Sequence, residues 1–140
     1  MSAAGQPDGA TREVEIRLLA GHDHVGLTRI VVAAIATEAD LGFDRVADLR
    51  LAVDEVVSRL VLRSSSTAVP LTVRVVAGDD AIVVSLESKD APEDLYDEAD
   101  FGWQVLTALT DGVAIIGEPN SVSGSEAVRG ITLTVNRDAL

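Results

Sequence analysis

Two pairs of opposite charges in the first half of the chain have the spacing that allows side-chain chemistry. Glu55 and Arg59 lie four residues apart, as do Arg50 and Asp54, so each pair would share one face of a helix. A guanidinium beside Glu55 would lower its basicity, because a nearby positive charge favours the ionised carboxylate. Both pairs can equally be solvated contacts on a helix surface. Arg59 has no acceptor atom and cannot ligate a cation, although it could contact a phosphate.

The residues that commonly bind metals or act as nucleophiles are scarce. The chain has no cysteine, which excludes a disulfide framework, a thiolate nucleophile and a cysteine-ligated zinc. Its two histidines, His22 and His24, alternate in one short segment with no third ligand nearby in sequence. We therefore predict that both histidines are exposed loop residues and that the chain has no metal site built from them.

The charge of the chain is strongly acidic. Lys and Arg number 11 against 23 Asp and Glu, which gives a net charge of −12. This balance excludes a nucleic-acid binder of the usual kind and favours basic or mixed-charge protein partners. The densest run, hereafter the acidic segment (residues 87–100), holds seven acids and one lysine. We predict a solvated loop there, and a poor site for phosphate, which normally requires backbone N–H groups, Lys or Arg.

The length and the apolar pattern predict one domain. Of the 140 residues 47% are apolar, which is enough for a packed core. Residues 1–12 are small and polar, so we predict a flexible tail followed by a single domain over residues 13–140. The longest apolar stretch, residues 30–36, is too short to span a bilayer, and the first residues lack the apolar run of a signal peptide. These features favour a cytoplasmic protein with no membrane partner.

Hydrophobic periodicity predicts the order β-α-α-β-β-α-β-β. Apolar residues alternate in strands at 13–20, 71–75, 82–86, 113–117 and 131–135, and Gly78-Asp79-Asp80 would turn the second and third strands into a hairpin. Apolar residues that recur in steps of three and four predict three helices. The apolar stripe of the first is Leu27, Ile30, Val31, Ala34 and Ile35, that of the second is Val46, Leu49, Val53, Val56 and Leu60, and that of the third is Gly102, Val105, Leu106 and Leu109. Runs of strand pairs separated by helices indicate an α+β fold with helices on one face of a mixed, mostly antiparallel sheet.

Three aspartates stand where helix caps are expected. Asp23, Asp44 and Asp100 each precede one of the predicted helices, and a carboxylate at the N-cap accepts a bond from the unpaired N–H groups of the first turn.

Four segments of the chain have a recognisable sequence: HDHVGLTRIVVAAI (22–35), LRLAVDEVVSRLV (49–61), FGWQVLTALTDGV (101–113) and GITLTV (130–135). They resemble the anti-sigma factors of the RsbW and SpoIIAB branch of the GHKL (histidine kinase-like ATPase) superfamily. The resemblance runs through nearly the whole chain after residue 12, in the family's order and spacing. It implies a two-layer α/β sandwich of the Bergerat type, and a homodimer that binds an alternative sigma factor of the stress-response type.

The same resemblance implies a kinase site that this chain only partly keeps. Family members bind Mg-ATP, with a glutamate as base and an asparagine four residues later as metal ligand; Glu55 matches the first and Arg59 replaces the second. Glu87 stands for the aspartate that reads adenine, but the glycines that follow it are missing. Gly102 is all that remains of the second glycine box, and Gly130 lies in the last one. We expect ATP and magnesium to bind weakly or not at all.

The resemblance also implies the partners. Arg29 aligns with an arginine that faces an acidic residue of the sigma factor, with Val25 and Leu27 near the same surface; Arg29 could also be just the polar side of an amphipathic helix. The leading hypothesis is an anti-sigma factor that sequesters its sigma factor until a STAS-type anti-anti-sigma protein competes. The alternatives are an active serine kinase that phosphorylates this antagonist, and a scaffold that binds another small ligand near Trp103.

Overall fold

A computed structural model describes residues 11–21, 25–64, 68–117 and 128–137. The elements are β1 (Arg12–Ala20), α1 (Val25–Glu38), α2 (Phe43–Arg63), β2 (Val69–Ala77), β3 (Ala81–Ser88), α3 (Phe101–Leu109), β4 (Gly112–Ile116) and β5 (Arg129–Asn136). The predicted order of strands and helices is therefore confirmed. Residues 1–10, which belong to the predicted tail, both histidines with Asp23, and residues 118–127 lie outside the described residues.

All five described strands form one antiparallel sheet in the order β1-β2-β3-β5-β4. The predicted hairpin is present: β2 pairs with β3, and the Gly78 N–H donates to the Ala81 carbonyl at 2.9 Å. The prediction of a mixed, mostly antiparallel sheet was wrong in one respect: no two neighbouring strands in the described sheet are parallel.

One face of the sheet forms the core together with the helices. Its buried side chains alternate along the strands, as predicted: Leu71, Val73, Val75, Ile82, Val84, Leu86, Ile131, Leu133 and Val135. The stripe of α2 meets them through Leu49, Val53, Val56 and Leu60, all at most 1% exposed. This two-layer arrangement is what a sheet with one apolar face and helices with one apolar stripe must adopt to exclude water.

The predicted stripe of α1 was wrong. Its buried residues are Thr28, Val32 and Ala36, whereas Leu27 is 51% exposed and Ile30 is also exposed. The helix is apolar nearly all around, so its periodicity cannot distinguish one face from another. The fully buried residues thus include a threonine and an alanine, while the larger Leu27 and Ile30 are left on the outer surface.

Two of the predicted caps also differ in the structure. The second helix begins at Phe43 with Gly42 at the N-cap, so Asp44 lies inside the first turn, where the helix dipole still favours a carboxylate. Asp100 does hold the N-cap position of α3, but its side chain makes no capping bond. It bonds elsewhere, as described below.

The acidic segment is not the solvated loop that its composition predicted. Ala91, Leu95 and Tyr96 are buried, and all three belong to the hydrophobic core cluster. Three of its seven acids, Glu93, Asp94 and Asp100, pair with arginines of the fold, so the segment is polar in composition and partly packed in structure.

Candidate functional site

Glu55 and Arg59 lie one turn apart on α2 and form an ion pair, with 3.7 Å between Arg59 Nε and Glu55 Oε2. The Arg59 side chain is only 21% exposed, so this pair is not a solvated surface contact. The second pair expected from the sequence is replaced by another: Asp54 lies 3.5 Å from Arg29 of α1 instead. The neighbouring acids Asp54 and Glu55 therefore have different partners: Glu55 pairs with Arg59 beside the acidic segment, and Asp54 pairs with Arg29 of α1.

Tyr96 of the acidic segment completes a cluster with this pair. Its hydroxyl donates to Glu55 Oε2 at 2.5 Å, and the Arg59 guanidinium carbon lies 4.3 Å from the centre of its ring. Burial, reinforced by the bond to Glu55, raises the pKa of Tyr96 far above its ordinary value, so the hydroxyl keeps its proton and remains a donor. The guanidinium above the ring adds a cation–π contact. Both carboxylate and guanidinium are thus engaged within the chain.

Gly102 lets the first turn of α3 approach this cluster. A Cβ atom at this position would lie 2.8 Å from Glu55 Oε2 and 3.0 Å from Tyr96 Cε1, and closer still to Arg59 Nη2. The absence of a side chain at Gly102 is therefore used to fit the chain's own side chains against the helix. Of the residues proposed for the nucleotide site, Glu55, Arg59 and Gly102 are brought together.

Glu87 is not brought to the same place. Along β3 the even-numbered residues face the core, and Glu87 lies on the other face, opposite Thr72 and Gly130 in the register. The neighbouring Ser88 is the residue that points inward; it is buried, and its hydroxyl accepts from the Asp90 N–H at 3.0 Å. The alternation through Leu86 already indicated this orientation in the sequence.

Three arginines hold the acidic segment against the domain. Arg59 donates to the Leu95 carbonyl at 3.1 Å in addition to its pair with Asp100, and Arg63 donates to the Asp94 carbonyl at 3.1 Å. The ion pairs are Arg59–Asp100 at 3.2 Å, Arg63–Asp94 at 2.8 Å and Arg129–Glu93 at 3.1 Å. Sequence reasoning missed Tyr96, Arg63 and Arg129. Two signals in the sequence could have identified Tyr96 and Arg63: Tyr96 is a lone tyrosine in a polar run, and Arg63 follows Arg59 by four residues.

The charge of Asp100 makes the attachment of the acidic segment pH-dependent. The Asp97 N–H donates to its carboxylate at 2.9 Å, and this bond, followed by the contact with Arg59, holds the pKa of Asp100 below its ordinary value of 3.8. A lowered pKa in the folded state contributes stability above the unfolded pKa, and this contribution disappears as pH falls through the lower folded value.

We therefore expect Asp100→Asn to be less stable than the parent protein at neutral pH, and the difference to shrink toward zero below about pH 4. Urea unfolding across the pH range measures it. Asp79→Asn, in the exposed β2–β3 turn, is the matched control and should show no such dependence. A difference that stays constant down to pH 3 would contradict the assignment to the Asp100 charge.

The side chains proposed for a protein partner lie on α1. The Arg29 side chain is 40% exposed and lies 3.5 Å from Asp54, while Leu27 is exposed and Val25 is partly buried against the core. This outer surface continues into a groove of about 650 Å³ between α1 and α2. Its walls are mainly apolar and include Ile30, Ala34 and the exposed Phe43.

Together, these features define a class of protein: a two-layer α+β domain with helices packed on one face of a five-stranded antiparallel sheet. A solved Mycobacterium tuberculosis structure containing RsbU and RsbW domains has the same fold, with a TM-score of 0.67 and 21% identity over 91% of this chain and 34% of that one. This chain belongs to the RsbW family of anti-sigma factors. It is 41% identical over 128 residues to the anti-sigma-F factor RsbW of M. tuberculosis strains CDC 1551/Oshkosh and H37Rv, which covers 91% of this chain and 76% of each relative.

No family model matches the chain. Within the described residues, no helix has the length and apolar character needed to cross a membrane.

Proposed function

We propose that this protein is an anti-sigma factor that acts by sequestration. It binds an alternative sigma factor related to the sigma-F for which its tuberculosis relatives are named, and so keeps it from RNA polymerase in the cytoplasm. Membership of the RsbW family, at 41% identity over 91% of the chain, is the observation that carries this proposal. The net charge of −12 suits a partner with basic surfaces.

The outer surface of α1 is the proposed contact for the sigma factor. A stable protein interface needs apolar anchors together with a charged group that fixes the relative position of the two partners. Leu27 and Ile30 supply the apolar anchors and Arg29 the charge, next to the α1–α2 groove. Size-exclusion chromatography of the protein mixed with its cognate sigma factor tests the proposal. We expect a complex at micromolar concentration without ATP. Separate elution with and without ATP would contradict it.

Release of the sigma factor is proposed to follow competition by a STAS-type anti-anti-sigma protein on an overlapping face. In such an exchange each tenfold difference in affinity corresponds to about 1.4 kcal/mol, so the supply or modification of the antagonist sets the outcome. Adding the antagonist to the preformed complex should return free sigma factor, and a stable ternary complex would contradict the overlap.

We also infer that the cluster around Glu55 is a degraded nucleotide site. The donor set does not fit Mg-ATP: Arg59 offers no ligand to a cation, and Glu55 is engaged by Tyr96 and Arg59. Gly102 supports the same inference, because the space beside it is taken by side chains of the cluster. Kinase activity toward the antagonist is accordingly expected to be weak or absent. Retention of Glu55, the family's base, is what favours the alternative of an active serine kinase, and phosphoserine formed with Mg-ATP at ordinary turnover would establish it.

Arg59→Asn should restore part of this site. An asparagine offers a carbonyl oxygen to Mg²⁺ and removes the guanidinium that engages Glu55, Tyr96 and Asp100. We expect Mg-ATP to bind at least about tenfold more tightly than to the parent protein by calorimetry, and only when Mg²⁺ is present. Arg74→Asn, on the other face of the sheet, is the control. Unchanged binding in the Arg59 variant would contradict our account of this position.

A second copy of the chain is the proposed partner for β1. This strand is at the edge of the described sheet, and its second edge pairs with no described strand. An antiparallel pairing of two copies centred on Ile16 places Glu15 opposite Arg17 of the partner subunit and Val14 opposite Leu18 of the partner subunit, which is complementary in charge and in apolar character. We expect the mass of a dimer by light scattering, and a monomer for Ile16→Pro. A dimer retained in that variant would contradict pairing through β1.

A further inference from the structure

Cations from two elements surround the acidic segment. Arg59 and Arg63 lie one turn apart on α2, and Arg129 begins β5. Each holds a different carboxylate of the segment, with distances between 2.8 and 3.2 Å; these carboxylates are Asp100, Asp94 and Glu93. The contacts occur along one short stretch of chain, so that one movement of the segment would break all three of these ion pairs.

We propose that the acidic segment is an internal ligand, which occupies three arginines that would otherwise bind a polyanion of the triphosphate class. Guanidinium groups bind carboxylate and phosphate oxygens with the same planar geometry. The segment is covalently attached and has a high effective concentration, so it excludes a free anion of similar strength. This inference rests on the proposal of a degraded nucleotide site, since it explains what occupies that site; it does not involve the sigma factor.

The buried side chains of the segment support this role. Tyr96 and Leu95 are buried at the centre of the segment, between the Asp94 and Asp100 contacts, so apolar packing and charge hold the same stretch. The carboxylates, in contrast, are not needed for the core: Glu93 and Asp94 have side chains 63% and 83% exposed. They act through charge alone, which means that their amide variants should preserve the fold.

The chain carries its own reporter of this attachment. Tyr96 is the only tyrosine and Trp103 the only tryptophan, and their ring centres lie 6.2 Å apart. Energy transfer from Tyr96 to Trp103 is therefore efficient while the segment is in place and falls when it moves away. Magnesium-free inorganic triphosphate is a suitable probe, because it carries the anion without an adenine ring.

The decisive variant is Glu93→Gln/Asp94→Asn/Asp100→Asn, which removes the three paired charges. We expect triphosphate to bind it at least about tenfold more tightly than the parent protein, with loss of energy transfer on binding. The variant Asp79→Asn/Asp90→Asn/Glu98→Gln changes the net charge equally but breaks no ion pair with the three arginines, and should bind triphosphate like the parent. Equal gains in both variants, or no gain in either, would overturn the proposal.

A second variant separates release of the segment from anion binding. Arg63→Gln/Arg129→Gln should also lower the energy transfer, because two of the three contacts are lost, but it should gain no affinity for triphosphate. Binding as tight as in the carboxylate variant would show that these arginines are not the site. Sigma-factor binding is measured separately on each variant, so a failure of the anti-sigma proposal would leave this result interpretable, and the reverse.

Discussion

Replacing Gly130 with alanine is expected to lower the free energy of unfolding by about 3 kcal/mol, at the upper end of what overpacking costs. Gly130 lies in β5 opposite Glu87 of β3, and a Cβ atom there would lie 2.7 Å from the Glu87 Cα and 2.9 Å from the Leu86 carbonyl carbon, with the Leu86 oxygen closer still. These are backbone atoms of a central strand, so no side-chain rotation relieves the contact. Chemical denaturation followed by circular dichroism measures the loss.

Gly112→Ala is the matched control for this prediction. Gly112 lies in β4 beside the same strand, and a Cβ atom there would meet only the Thr134 Cβ at 3.4 Å, an ordinary contact. We expect its stability to change by less than about 1 kcal/mol. Equal losses at both positions would mean that the cost comes from replacing a glycine in a strand, and that the approach of the β3 backbone is not its cause.

The strands and the long helix were predictable because their patterns allow a single solution. In β5 the apolar residues Ile131, Leu133 and Val135 alternate with threonines. In β2 and β3 the face away from the core carries Thr72, Arg74, Ser85 and Glu87. In each of these strands only one face can therefore be buried. The stripe of α2 is equally unambiguous, since charged residues fill its other side. In α1, by contrast, apolar residues occur on all sides, and the side that faces inward is set by the packing of the whole domain. Single-sequence periodicity does not contain that information.

The candidate site was predictable only where it depends on local spacing. The pair formed by Glu55 and Arg59 follows directly from the step of four on a helix. The contribution of Tyr96 depends on how the acidic segment folds back over α2, which is a long-range contact. The composition of the segment predicted a solvated run of acids. In the structure, however, three of these acids each have an arginine partner. Counting charges within the segment alone could not reveal cations supplied by α2 and β5.

Reversing the charge of Arg29 is expected to have the largest effect on sigma-factor binding. If its guanidinium meets an acidic residue of the sigma factor, Arg29→Glu places two carboxylates together in the interface. We expect the affinity to fall at least about 30-fold, equivalent to about 2 kcal/mol, with the loss mainly in the dissociation rate. Surface plasmon resonance with immobilised sigma factor measures it, and Arg74→Glu on the other face of the sheet should bind like the parent protein.

The intramolecular partner of Arg29 makes a sharper test possible. Arg29 lies 3.5 Å from Asp54, so the single variant also creates a repulsion within the domain. The double variant Arg29→Glu/Asp54→Arg re-forms the ion pair between α1 and α2 with reversed polarity. It should therefore regain the stability of the parent protein in denaturation. Sigma-factor binding should stay impaired, because the surface still presents a carboxylate at position 29. Recovery of both stability and binding in the double variant would show that Arg29 serves the packing of α1 on α2 and does not contact the sigma factor.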